Sequence, residues 1–207
     1  MMRTLPSSLH FLPLKLREEM AEKAVWKTIP KGVEVMHEGQ FIQAVPLVVS
    51  GLVKVITRYE DREFLLYYIE PNESCIMSFF GVIQEESSKI IAQTEAETEL
   101  LLLLPEDIRR WIKQYPELNV FFHQLNNRRY SDLLSTIHQV LFENLDTRIL
   151  NFLREKARHT NDPFIRIRHR EIADALGTTR EVVSRVTKKL EHEKLMEQYS
   201  DGIEVRL

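Results

Sequence analysis

The chain predicts an α+β protein: an antiparallel β domain, then a long helix, then a C-terminal winged helix-turn-helix. Three features carry that expectation. Short runs rich in Val, Ile, Phe and Tyr, punctuated by Gly and Pro, fill the stretch from Ile29 to Leu104. After Pro116 the apolar residues fall three or four apart, and His169 to Leu195 reads as two short helices joined by a tight turn. A length of 207 residues allows two compact domains, and 43% hydrophobic residues suit a soluble globular chain. The N-terminal stretch LPLKLREEMAEKAVW mixes charge throughout, and the longest apolar run, Leu100 to Leu104, is far too short to span a membrane. A cytoplasmic protein without membrane contact is expected. Cys75 is the single cysteine, which excludes an internal disulfide and any zinc or iron–sulfur site built from several thiolates of one chain.

Taken in order, Leu9 to Ala24 reads as one or two amphipathic helices. Pro30-Lys31-Gly32 and His37-Glu38-Gly39 bracket a strand at Val33 to Met36, and Val45 to Val49 runs into Ser50-Gly51. Leu52 to Arg58 leads to a turn at Glu60-Asp61-Arg62, and Phe64 to Ile69 returns to Pro71-Asn72. After a weaker segment, Lys89 to Ala92 and Leu100 to Leu104 bring the total to at least six short strands, spacing that suits a small barrel or sandwich. Pro105 opens a helix through Tyr115 and Pro116 a longer one. On the longer helix Phe121, Phe122, Leu125, Leu133, Ile137, Val140 and Leu141 form a coiled-coil-like seam. Such a seam either packs on its own β domain or pairs with a mate across a two-fold axis. Pairing is favoured, because a helix-turn-helix protein usually reads two half-sites one helical turn apart. Asn126-Asn127-Arg128-Arg129 interrupts the seam, to set register or to face solvent. The expected divisions are 1–116, a long dimerisation helix at 117–143, and a winged helix-turn-helix at 144–207.

In the C-terminal segment Ala173 falls where two helices must touch closely, Gly177 supplies the turn, and Val183 and Val186 return apolar groups to the same small core. Arg180, Glu181, Ser184, Arg185, Lys188 and Lys189 remain on the outer face of the second helix. Arg180 and Arg185 can each fork onto a guanine, Glu181 can accept from a cytosine amino group, and the two lysines suit phosphates. Thr178 and Thr179 stand at the helix entrance, where a hydroxyl caps backbone N–H groups or donates to a phosphate. His169 and Arg170, opening the first helix, complete the expected DNA-contacting set. Phe164 to Arg168 alternates apolar and basic residues as a strand should, Asp162-Pro163 ends a preceding helix from about Leu145 to Arg158, and Ser200-Asp201-Gly202 signals a hairpin. Charge agrees: from Thr147 to Lys189 eleven Lys or Arg stand against five Asp or Glu, a net of +6 in a chain of net −3. Against an enzyme, the seven histidines show no metal-ligand spacing and no Gly-rich phosphate loop occurs, so neither catalytic nor metal-ligating residues are expected.

The order of these parts, with Pro30-Lys31-Gly32, Glu38-Gly39, the run Val48-Val-Ser-Gly-Leu-Val-Lys-Val55 and above all Arg180-Glu-Val-Val-Ser-Arg185, resembles the cyclic-AMP receptor and fumarate-nitrate regulator (Crp/Fnr) family of bacterial transcription factors. The resemblance covers nearly the whole chain. It implies a cyclic-nucleotide-binding-like β-roll sensor and a homodimer on double-stranded DNA, with RNA polymerase as a further candidate partner. It also implies that Glu181 and Arg185 read a TGA core, tuned by Ser184 and Arg180, in a palindrome with TGA and TCA arms.

The expected effector pocket takes in Cys75, Met77, Ser78, Lys89, Leu133 and Leu134. Cyclic-nucleotide binders of the family carry a Gly-Glu pair and then Arg followed by Ser or Thr. Here Ile76-Met77-Ser78-Phe79 replaces the pair, and from there to Thr98 the one cation is Lys89. A buried anion without a paired Arg is poorly held, so the signal expected is other than cyclic AMP. Two alternatives stay open: a haem- or redox-sensing regulator using Cys75, with His10 or His37 as a second haem ligand, and a cyclic-nucleotide-binding regulatory protein. An iron–sulfur cluster is not expected, since no cysteine precedes the β domain.

Overall fold

The computed structural model describes residues 5–59 and 62–206, without the side chains of 59, 62 and 139–142. Contacts group these residues into two units, one running to Thr57 and resuming over Leu66–Leu133, the other comprising Arg58–Leu65 and everything from Leu134.

In the first unit a 3₁₀ turn at Ser7–Leu9 and helix α1, Leu14–Lys23, bury Leu9, Leu16 and Met20. Strands β1 (Val25–Ile29), β3 (Val45–Ser50) and β7 (Thr98–Leu103) form one antiparallel sheet in the order β1-β7-β3. Strands β2 (Glu34–Met36), β4 (Val53–Tyr59), β5 (Arg62–Ile69) and β6 (Ile91–Thr94) form a second in the order β2-β6-β4-β5. The period of two along β7 turns Leu101 and Leu103 toward the core shared with α1, while Leu100 joins the cluster of Met36, Val48, Val55 and Ala92. The connection from β3 to β4 depends on Gly51 at φ +89, where a Cβ would lie 2.4 Å from the Glu97 carbonyl oxygen. Of the expected turn at Glu60-Asp61-Arg62, residues 60 and 61 lie outside the described residues.

Helix α2, Ile76–Gln84, occupies the segment that the sequence left weak. Its nine residues are almost wholly apolar, and Cys75 at its N-cap makes no side-chain cap, so it shows neither an amphipathic rhythm nor a start signal. Helices α3 (Pro105–Gln114) and α4 (Pro116–Phe142) both begin at proline, whose missing N–H costs nothing in a first turn. The seam on α4 divides. Phe121, Phe122 and Leu125 are buried in their own chain's core, with Phe122 stacked on Phe79 at 3.7 Å between ring centroids. Leu133 and Ile137 are 46% and 44% exposed, while the side chains of Val140 and Leu141 lie outside the described residues.

Arg128 and Arg129 neither interrupt a seam nor face solvent idly, because both pair with Glu73. Arg129 is 8% exposed, donates to the Tyr68 carbonyl oxygen at 3.0 Å and to Asp132 at 2.8 Å, and lies 4.6 Å over the Tyr67 ring. Glu73 is 5% exposed and accepts from the Glu70 amide at 3.1 Å. Two buried opposite charges, each with further hydrogen bonds, offset a desolvation cost that neither could bear alone.

In the second unit α5, Leu145–Thr160, is capped by Asn144, whose Oδ1 accepts from the Thr147 amide at 2.9 Å, and ends at Asn161 in the left-handed region. Strand β8 (Phe164–Ile165), helices α6 (His169–Ala175) and α7 (Arg180–His192), and strands β9 (Met196–Gln198) and β10 (Ile203–Val205) follow, the strands forming an antiparallel sheet β8-β10-β9. Gln198 pairs with Ile203, so four residues, Tyr199 to Gly202, span the hairpin. Leu65 packs against this unit's core and Phe64 bridges the backbone of Leu176.

Replacing Glu73 by Ala leaves the buried Arg129 guanidinium with Asp132 as its remaining carboxylate, and urea denaturation should show a loss of about 1.5–3 kcal/mol. Glu73→Gln, which keeps an acceptor oxygen, should lose less.

Candidate nucleic-acid interface and sensor cavity

The geometry of α7 begins at its turn. Gly177 adopts φ +64, and the Thr178 amide donates to the Ala173 carbonyl oxygen at 2.9 Å. The Phe64 ring lies 3.4 Å from where a Gly177 Cβ would stand, an ordinary contact, so it is the left-handed backbone that favours glycine here. Thr179 caps α7, its hydroxyl accepting from the Val182 amide at 3.4 Å. Val183, Val186 and Leu190 are buried with Ile149 and Leu153 of α5, Ile172 and Ala173 of α6, and Met196 and Ile203 of the hairpin.

That burial leaves Arg180, Glu181, Arg185 and Lys188 exposed on one side of α7, with Ser184 half-buried between them. The Glu181 carboxyl is held below its ordinary range by its own backbone amide, then by the Thr179 hydroxyl and the Arg180 charge, so it stays an ionised acceptor at neutral pH. A hollow of about 670 Å³ beside the start of α7 is lined by Arg168, His169, Arg170, Arg180, Tyr199 and Ser200 among others. It brings the exposed cations Arg168, Arg170 and Arg180 together with the hairpin loop. Arg168 was not among the expected contacts, although its place in the alternating run Phe164 to Arg168 carried the signal.

Two residues of the expected set are engaged internally. Lys189 Nζ lies 2.5 Å from an Asp146 carboxylate oxygen of α5 and 3.9 Å from Glu193. His169 Nε2 lies 2.9 Å from Gln198 Oε1 and 3.3 Å from Thr187 Oγ1, linking α6, the hairpin and α7. Thr178 is half-buried at the turn and Thr179 serves as the cap.

The β-roll of the first unit encloses a cavity of about 310 Å³ between its sheets and α2. Cys75 and Ser78 line it. The other residues expected around an effector are elsewhere. Met77 packs against the apolar cluster that walls the cavity without lining it, Lys89 is exposed and paired with Glu86 at 3.0 Å, and Leu133 and Leu134 lie on the exposed side of α4. Burial pushes the Cys75 thiol above its ordinary range, against smaller opposing effects from hydrogen bonds with Ser78. His37 turns its Nδ1 to Glu34 at 2.7 Å, and neither it nor His10 lines the cavity. Among the described residues no group of three or more His, Cys, Asp or Glu is placed to hold a metal ion.

A raised thiol pKa leaves less thiolate than an ordinary cysteine carries at any pH near 8, and burial adds a steric block. Ellman's reagent at that pH should therefore leave native Cys75 unreacted and titrate one thiol per chain after unfolding. Thr179→Ala should cost the protein about 1 kcal/mol in thermal or urea unfolding through loss of the cap.

The description "Crp-like helix-turn-helix domain" matches residues 147–206. A protein named "Cyclic AMP receptor protein" from Thermus thermophilus is 30% identical over 178 residues, which cover 86% of this chain and 82% of that one. The cAMP-activated global transcriptional regulator CRP of Salmonella typhimurium is 25% identical over 192 residues, covering 85% of this chain and 87% of the relative. A crp/fnr-family structure from Eubacterium rectale superposes with a TM-score of 0.85 at 22% identity, covering 94% of this chain and 90% of the other, which carries the fold. No helix among the described residues is long and apolar enough to cross a membrane. The β-roll, the long α4 and the winged helix-turn-helix thus agree with sequence kinship at 30% identity, and the chain belongs to the Crp/Fnr family of DNA-binding transcription regulators.

Proposed function

We propose that the chain works as a homodimer that binds a palindromic operator with TGA and TCA arms, governed by a signal other than cyclic AMP that is sensed in the β-roll. The observation that carries the DNA reading is the outer side of α7, where Arg180, Glu181 and Arg185 project from a helix whose opposite face is wholly committed to the core. Arg180 and Arg185 present bidentate donors to guanine, and Glu181 presents an ionised acceptor to a cytosine amino group. Lys188, one turn beyond Ser184, suits a phosphate, as do Arg168 and Arg170 beside the hairpin loop. Lys189 adds to the local positive field while it holds Asp146.

The dimer reading is supported by the second half of α4, where Leu133, Leu134 and Ile137 leave apolar side chains exposed on a long helix. Phe121, Phe122 and Leu125 stay with their own chain. A dimer places two copies of α7 to meet successive major grooves, with RNA polymerase as a further candidate partner.

The sensing reading is supported by the cavity's lining. Lys27 is its one cation among the described residues, and it stands at the exposed rim, with no arginine to fork onto a buried phosphate.

Arg185→Ala should cost about 1–3 kcal/mol at the palindrome and relax discrimination at one base pair in a gel-shift titration. Equal loss on scrambled DNA would overturn the base-reading role. Lys188→Ala should weaken all sequences alike and flatten the slope of log affinity against log salt. Ile137→Glu should turn a sedimenting dimer into a monomer and abolish palindrome binding, and an unchanged dimer would overturn the pairing through α4.

A further inference from the structure

The β-roll cavity is walled mainly by apolar side chains. Its deep side is formed by Met36, Val48, Ala92 and Leu100, with Cys75 and Ser78 at the start of α2. Both of these last residues are 1% exposed. The Ser78 hydroxyl donates to the Met36 thioether sulfur at 3.6 Å and also interacts with the Cys75 thiol, both weak sulfur partners. The charged side chains on the lining are Lys27 and Glu34, and Glu34 directs its carboxylate to His37. At the opening stands Phe41, a lining residue that is nevertheless 70% exposed. Its backbone bridges that of Ser87.

Those features select a ligand class by what they can desolvate. An anion drawn to the deep side would lose its hydration and meet no guanidinium or ammonium there, so several kcal/mol of desolvation would be only partly repaid. An apolar molecule would release water from the aliphatic wall and find in Ser78 a donor better served by an oxygen or nitrogen than by a thioether. About 310 Å³ is at the small end of natural ligand pockets and large enough for a bicyclic aromatic or a short aliphatic chain. The exposed ring of Phe41 would then gain a partner at the mouth.

We propose that this cavity binds an uncharged, predominantly apolar small molecule with one hydrogen-bond acceptor, which Ser78 receives at the deep end and Phe41 covers at the mouth. The inference rests on the β-roll's being the sensor only where it connects occupancy to DNA affinity, and the binding itself is measured without DNA.

The probe is 6-propionyl-2-(dimethylamino)naphthalene, a neutral bicyclic fluorophore with one ketone acceptor, whose emission rises and shifts to the blue in an apolar site. Added to the full-length protein, it should saturate at one per chain, and cyclic AMP in large excess should not displace it. With 13C-methyl methionine labelling, the Met36 methyl signal should shift on saturation while that of Met77, outside the cavity, should not. Ala92→Phe, which fills the space, should weaken the probe at least tenfold. The methyl shifts are read on the unaltered protein and so decide the matter even if that variant fails to fold. Displacement by cyclic AMP, an unmoved Met36 signal, or unsaturable binding would each overturn the proposal. Saturable binding with unchanged operator affinity would leave the ligand class standing and overturn the sensing role alone.

Discussion

The winged helix-turn-helix depends on one constraint, that α7 must bury Val183, Val186 and Leu190. A helix has 3.6 residues per turn, so assigning three positions to the core assigns the opposite positions to solvent. Rotating α7 far enough to hide Arg185 would expose Val183 or Val186 and take a guanidinium out of water without a partner, a change disfavoured on both sides. The surrounding elements close that core: Ile149 and Leu153 of α5, Ile172 and Ala173 of α6, and Met196 and Ile203 of the hairpin. The tight turn at Gly177, the Thr179 cap and the internal hydrogen bonds of His169 set the register in which the outer residues emerge.

The β-roll obeys the same logic with a period of two. Alternate residues of β7 supply two different apolar clusters, one shared with α1 and α4 and one enclosed between the sheets. The first is tightly filled, with aromatic rings of α2 and α4 in contact. The second stops short of closure and leaves the cavity against Cys75 and Ser78. The Glu73 carboxylate, gripped by Arg128 and Arg129, ties the turn after β5 to α4 within this unit. A helix anchored by a buried ion pair resists sliding, because each step away strands a charge.

Most of the element order is legible in the residues, since prolines open α3 and α4, glycines mark the turns of the β-roll, and apolar periodicity separates strands from helices. Helix α2 is not, because burial on several sides erases the polar face that would have signalled a helix. The seam on α4 is legible as apolar but not as two surfaces: Phe121 and Leu133 look alike in sequence, and what separates them is whether the β-roll lies beside that turn of the helix. Arg129 next to Arg128 reads as solvated charge, and only the approach of Glu73, more than fifty residues away, makes it a buried partner. Lys189 likewise continues the outer face of α7 in sequence, and only the fold brings Asp146 of α5 within reach.

By itself the sequence determined the order of the parts and the chemical character of the α7 face, because these rest on local periodicity, capping and turn chemistry that act over a few residues, and its motifs carried the resemblance to the family. Tertiary structure alone decided which of the chemically suitable residues are available. Lys189 and His169 are partly spent on internal contacts, Met77 is not among the residues lining the cavity, and Cys75 is buried with its thiol pushed above the ordinary range. Availability depends on which distant segment packs against a side chain, and desolvation and ion pairing by such neighbours leave no mark on the residue's own surroundings in sequence.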